Sequence, residues 1–436
     1  MDQKNNEERF IFRVWLSEAG RGFSLPYLIG FLVILPFLIY QIYYLSRDMV
    51  YGDGSIDNLL IQPRYAAFRV PESSMTIQYN AVNRLAGDFG QVYFPSKDLL
   101  HAEEAYNGAT TLDPWHRASR YAPFINFVCA VTICQLPYGY AGIVHVVLQF
   151  ALFSLGLAVA LWELKVTKFL APILFLLLIC IGLTPAGLSW FERGQFSLYV
   201  ALSYLWLFLG LLFEKKHYII LSALFAFIKW TSFPFLFIFF CVYFLTATDI
   251  KDFRRKLGFA VIFAIIIEIF FLIFAKASVR FLLVLIAQEM YSPLYGVSLA
   301  KLLPRGVVKL MPFALILFGY INIRNGRKTL IELVPYFAGA VIISLTFSLI
   351  PFEYNIISVF GLAPFLIYWW NSQENNERYR NILLVAPVLF LILGSFSLEI
   401  FGTEENTIVF YILISLVCFL VPFLQGRMEI KKAVSS

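Results

Sequence analysis

Apolar segments follow one another from about residue 26 to residue 424, mostly parted by short loops and interrupted once by a long polar stretch, Arg47 to Arg120. That pattern constrains the fold more than any other feature. Of 436 residues 60% are hydrophobic and 14% charged, and the mean hydropathy is +0.75. No aqueous fold hides that much apolar surface, so the bilayer must act as solvent. Hydrocarbon offers no partner to backbone N–H and C=O groups, so the spanning segments must be helices. The fold class expected is an all-α polytopic membrane protein, one domain over 1–436, with no internal repeat and no linker.

Thirteen apolar segments can be counted, roughly 26–45, 121–137, 139–162, 169–187, 196–213, 217–232, 233–247, 257–275, 306–322, 330–350, 355–370, 382–398 and 407–424. In the C-terminal half, basic loops (Arg324/Arg327/Lys328, then Arg378/Arg380, then the tail with Arg427, Lys431 and Lys432) alternate with loops lacking Lys and Arg. The positive-inside rule puts those basic loops, the C-terminus and the basic N-terminus in the cytoplasm. An even number of crossings is then required, and about twelve are expected. Charge singles out 121–137 as the segment that fails to cross; the alternative merges 217–247 into one element broken at Lys229 and Pro234. Loops 46–120 and 276–305 face outward in either case. The first apolar run has no small-residue cleavage site and reads as a signal anchor of a multi-pass cell-membrane protein. The formal charge of +6 lies in short orienting loops and calls for no nucleic-acid partner. All five cysteines lie in apolar segments, so no disulfide is expected.

An enzyme acting on lipid-linked substrates needs polar groups at a membrane face beside a path for a lipid tail, and the 46–120 loop suits that role. Tyr51-Gly-Asp-Gly-Ser-Ile-Asp57 is an acidic turn directly after the first span, where Asp53 or Asp57 could deprotonate an acceptor hydroxyl. Ser73 or Ser74 can cap a surface helix from Met75 to Ala86, with Gly87 ending it. Charges within apolar runs are stronger signals, since each costs about 2.5–3.5 kcal/mol on insertion scales unless partnered. Arg193, in Phe191-Glu-Arg-Gly-Gln-Phe, and Lys229, in Phe227-Ile-Lys-Trp-Thr-Ser-Phe-Pro, could grip a lipid phosphate. A loop arginine paired with Glu192 and a snorkelling lysine are the bland alternatives. Glu268 and His145 also interrupt apolar runs; packing is the simpler role for His145. No HExxH, CxxC or GxSxG motif occurs, so neither a metal nor a cofactor is expected.

Motifs spread over residues 78–354 together resemble the GT-C superfamily of membrane glycosyltransferases, and most closely glycosyltransferase family 87. Gln78-Tyr-Asn-Ala-Val-Asn-Arg-Leu-Ala-Gly-Asp-Phe-Gly-Gln-Val-Tyr-Phe-Pro95 is similar to the family's aromatic-x-Ala helix, glycine and Tyr-x-Pro segment. Tyr121-Ala-Pro-Phe followed by Gln135-Leu-Pro-Tyr resembles its Tyr-Pro-Pro entry and Leu-Pro exit, and Arg193-Gly-Gln-Phe its Asn-Gly-Gln motif. Lys229 with Pro234 resembles Lys-x-x-Pro with two extra residues. Gly296-Val-Ser-Leu and Ser348-Leu-Ile-Pro-Phe-Glu-Tyr are similar to two later family segments. The resemblance implies a GT-C-like bundle with a large first outer loop and inverting transfer of a hexose or pentose, mannose first. The donor would be a polyprenyl-phosphate-linked sugar, the acceptor a lipid or glycan on the outer face, with membrane lipids around. It also implies an aspartate base in the first loop, usually without metal. The family's aspartate position holds Met75 and Thr76 here, which leaves Glu72, Asp57 and Asp53 as the nearest carboxylates. Arg193, Gln195, Lys229, Tyr79, Glu353 and Tyr354 are the substrate-binding candidates that follow. An O-antigen ligase type, a transporter or flippase relaying through Glu268, His145 and Lys229, and a purely structural protein are the competing readings.

Overall fold

The computed structural model describes residues 25–52, 55–61, 86–97, 99, 119–226, 228–291, 294, 296–326, 329–348, 353–372 and 377–435. All regular structure among them is helical, with no strand, as a chain dissolved in lipid requires. In order come α1 (Leu25–Tyr51), α2 (Gly87–Lys97), α3 (Pro123–Val131), α4 (Tyr138–Glu163), α5 (Leu170–Gly182), α6 (Pro185–Glu192), α7 (Ser197–Leu212), α8 (Lys216–Ala226) and α9 (Phe233–Leu245). Then follow α10 (Ile250–Ile273), α11 (Ala275–Tyr291), α12 (Arg305–Arg324), α13 (Val334–Ser344), α14 (Ala363–Ser372), α15 (Glu377–Ser395), α16 (Ser397–Phe401) and α17 (Glu404–Ser435). Four described helices are long and apolar enough to cross a membrane: Leu28–Tyr51 of α1, α4, α10 and α12. The pair α5–α6 makes a fifth if its 77° bend is counted as one broken span. The bend has a local cause: Pro185 cannot donate to the preceding turn, and the Thr184 hydroxyl accepts the Gly187 N–H at 3.0 Å, capping a new helix.

Helix α7 is the axis of the bundle. It is apolar all round, and every residue from Ser197 to Leu211 is buried, as a helix enclosed on all sides must be. The 3₁₀ segment Glu353–Leu362 lies directly on it. A Cβ at Gly361 would fall 2.2 Å from the Ala201 carbonyl oxygen, so only glycine permits that approach.

Charged contacts sort the helix ends. Lys215 pairs with Glu163 at 2.6 Å, the Tyr218 hydroxyl donates to the same carboxylate, and Arg255 pairs with Glu214 at 2.5 Å. These join the ends of α4 and α7 to the starts of α8 and α10 in one basic end. Thr246, after α9, accepts from Lys256 at 2.7 Å, so α9 returns to that end too. At the opposite end Lys301 pairs with Glu404 at the start of α17.

Several sequence expectations change. Helices α8 and α9 form an antiparallel hairpin: Tyr218 stacks on Trp206 near the end of α7, whereas Phe235 meets Tyr204 and Phe239 meets Phe208 on the way back. Residues 217–247 are therefore not one broken crossing; the hairpin starts and ends at the basic end, with Lys229 at the tip. Segment 121–137, which charge singles out as the one that fails to cross, holds the 9-residue α3, which stops at Thr132. That turn corrects the cysteine expectation as well, since it brings Cys129 and Cys134 to a Cα–Cα distance of 5.0 Å, joined by a disulfide. Gly87 opens a helix instead of ending one; the expected helix over 75–85 lies outside the described residues. The 276–305 region is helical over α11.

Candidate functional site

Below the end opposite the basic loops, five elements converge on one buried polar cluster. The first is α2. Its opening N–H groups, which a helix cannot satisfy internally, dock onto the chain after α6: Asp88 and Phe89 donate to the Arg193 carbonyl at 3.0 and 3.2 Å. Ala86 N donates to the Glu192 carbonyl at 2.6 Å, and the Tyr138 hydroxyl donates to the Ala86 carbonyl at 2.7 Å. The Arg193–Gln195 turn is made by Gly194, whose φ of +60° suits glycine and whose missing Cβ would lie 2.8 Å from that of Phe89. Backbone docking thus places the side chains of Asp88, Arg193 and Gln195 together.

Asp88 is the carboxylate at the centre of the cluster, and five donors among the described residues surround it. The Arg193 guanidinium forks onto it, Nε to Oδ2 at 2.6 Å and Nη2 to Oδ1 at 3.0 Å. Gln195 Nε2 also donates to Oδ2, Gln91 Nε2 to Oδ1 at 3.2 Å, and the Tyr354 hydroxyl to Oδ2 at 3.4 Å. A carboxylate offers about four lone-pair positions, so this one is saturated. Asp88 and Arg193 are each 5% exposed.

Lys229, 7% exposed at the hairpin tip, is bound differently. Its ammonium donates to Gln195 Oε1 at 2.8 Å and Asn355 Oδ1 at 2.7 Å, and makes no ion pair among the described residues. An ammonium has three donors; the two amide oxygens take two. Asn355 also accepts from the Ser197 hydroxyl at 3.2 Å. Both cations lie over the Tyr354 ring, Arg193 Cζ 5.7 Å and Lys229 Nζ 5.4 Å from its centroid, within cation–π range.

Helix α4 braces the turn from below. Gln149 Nε2 donates to the Gln195 carbonyl at 2.6 Å, and His145 Nε2 sits 2.9 Å from Gln149 Nε2 and 3.2 Å from the Gly194 carbonyl. The His145 ring stacks on Phe89 at 4.7 Å and meets Phe196 at 4.4 Å, a packing and positioning role. Gln149 is the twelfth residue of α4, about 16 Å below its start at 1.5 Å per residue.

Of the expected site residues, the structure brings together Arg193, Gln195, Lys229 and Tyr354. Arg193 pairs with Asp88, not in the loop pair with Glu192 that its neighbour suggested. Asp57 is exposed, on the 3₁₀ turn Ser55–Asn58 that folds back on α1, where Gln41 binds Leu60 N at 2.8 Å. Asp53, Glu72 and Tyr79 lie outside the described residues, as does the side chain of Glu353. Glu268 is exposed on α10, apart from the cluster. Asp88, Asn355, Gln91 and Gln149 were not singled out from sequence. Asp88 did carry one signal: it is the lone charge between Gly87 and Ser96. No family model, curated protein or solved structure matches this chain.

Proposed function

We propose that this protein is a membrane glycosyltransferase that moves a sugar, mannose first, from a polyprenyl-phosphate donor to a lipid or glycan acceptor. In this reading the basic end faces the cytoplasm and the cluster is reached from the other side. The observation that supports this most is Lys229: a buried ammonium held by two amide oxygens, beside an arginine and a carboxylate. A buried cation is costly unless an anion compensates it, and a lipid phosphate is the anion a bilayer supplies.

In this reading the acceptor oxygen attacks the anomeric carbon and its proton passes to Asp88. The bond from that carbon to the phosphate oxygen breaks, and its electron pair leaves with the phosphate. Arg193 and Lys229 hold the charge that develops there, the larger electrostatic contribution to such a step. Asp88 replaces Asp53, Asp57 and Glu72 as the proposed base because, among the described carboxylates, it is the one paired with Arg193 and linked through Gln195 to Lys229.

The direct test uses Lys229→Met, which keeps length and removes charge. With polyprenyl-phosphate mannose in detergent, the donor KM is expected to rise on the order of tenfold, the loss of one charge-assisted bond at 1.4 kcal/mol per decade. A folded variant with unchanged donor KM would reduce Lys229 to a structural residue. Orientation is checked separately. A cysteine replacing Lys97, which is exposed at the far end of α2, should react with an impermeant maleimide in intact cells. Reaction only after permeabilisation would reverse the assignment of sides.

A further inference from the structure

We infer that Asp88 and the donor phosphate compete for Arg193, so that arrival of the donor is what uncovers the base. This rests on the reading of the cluster as a phosphate-binding site and deepens it into an order of events. Three observations carry it. First, the Arg193 fork, the part of the cluster best shaped for a phosphate, is already filled by both oxygens of Asp88 at 2.6 and 3.0 Å. Second, Asp88 has five donors for about four lone-pair positions, so it cannot accept a proton from a hydroxyl without shedding some of them. Third, Lys229 shares the Tyr354 ring with Arg193 and has one N–H beyond its two amide contacts.

A phosphate seated against Lys229 and Arg193 displaces the carboxylate from the fork. The arginine exchanges one singly charged anion for another, the phosphate gains Lys229 as a second cation, and Asp88 sheds both guanidinium contacts while keeping the neutral donors Gln91, Gln195 and Tyr354. Without donor the base stays paired. The consequence is an ordered reaction, donor before acceptor, in which an acceptor or water arriving first meets no base. Apparent donor affinity is lowered by the fraction of molecules whose fork is open, as for any state that must be vacated before binding.

The test measures binding, not turnover, on the full chain in detergent. The probe is a short prenyl phosphate, and the matching uncharged prenol is the control. Asp88→Asn removes the competitor and keeps the shape, so it is expected to bind the prenyl phosphate on the order of tenfold more tightly than wild type, the value for a fork closed nine-tenths of the time. Prenol binding should be equal in both. A prenyl phosphate affinity that is unchanged or weaker in Asp88→Asn overturns the competition while leaving the phosphate site standing. If neither protein prefers prenyl phosphate to prenol, the proposed function falls and the competition with it. A second measurement covers an Asp88→Asn chain that does not fold, and separates displacement from a mere change in net charge. Infrared difference spectra of wild type labelled with carbon-13 aspartate should show a carboxylate stretch moving when prenyl phosphate is added. An unmoved carboxylate band in protein saturated with the probe overturns the inference.

Discussion

Replacing Asp88 by asparagine is expected to silence sugar transfer, lowering kcat about 10²–10⁴-fold, the range that a general base contributes. Asparagine keeps the volume and one carbonyl oxygen, so Arg193, Gln195, Gln91 and Tyr354 retain part of their contacts. What disappears is a group that can take a proton. Asp88→Asn and Asp57→Asn should be assayed side by side with polyprenyl-phosphate mannose, since Asp57 is the described carboxylate of the early acidic turn. Full turnover in Asp88→Asn with loss in Asp57→Asn would return the base to that turn and leave Asp88 as a partner for Arg193 alone. The loss should fall on kcat while prenyl phosphate binding improves, a split that simple unfolding cannot produce.

The sequence announced the helices because lipid leaves a chain no other choice, and it announced Arg193 and Lys229 because charge in an apolar run is expensive. It could not announce Asp88. Carboxylates are frequent in the 46–120 loop, and nothing local sets this one apart except an uncharged neighbourhood. Its selection is tertiary: the first N–H groups of α2 land on the Arg193 carbonyl across 105 positions of chain, and the side chain follows the backbone. Asn355 was hidden for another reason. It is a neutral amide just after Glu353 and Tyr354, which end the last of the family-like segments, and the hairpin tip that delivers Lys229 gives it a role. The α8–α9 hairpin was half legible, since the break at Lys229 and Pro234 was visible but the direction of the second leg depends on aromatic packing against α7. The disulfide was missed because 121–137 was read as one apolar segment, whereas the chain turns at Thr132.

Arg193→Met is expected to be the most destabilising single change in the cluster, by about 3–5 kcal/mol, because removing one partner strands the other charge in a buried site. The geometry leaves little relief. Asp88 is 5% exposed, its backbone is pinned to the 192–193 carbonyls, and the three remaining donors are neutral. Lys229 points its ammonium at Gln195 and Asn355 and makes no ion pair with Asp88. The double variant Arg193→Met/Asp88→Asn removes both charges together and should recover most of the loss, since replacing a whole buried pair is often near neutral. Thermal denaturation of the four proteins in one detergent closes the cycle, and the coupling between the two sites should exceed about 2 kcal/mol. Additive losses would mean that the two side chains do not depend on each other. The double variant should nevertheless be inactive, because a stable fold without the fork and the carboxylate lacks both the proposed grip on the phosphate and the proposed base, and activity surviving in it would separate the cluster from the chemistry.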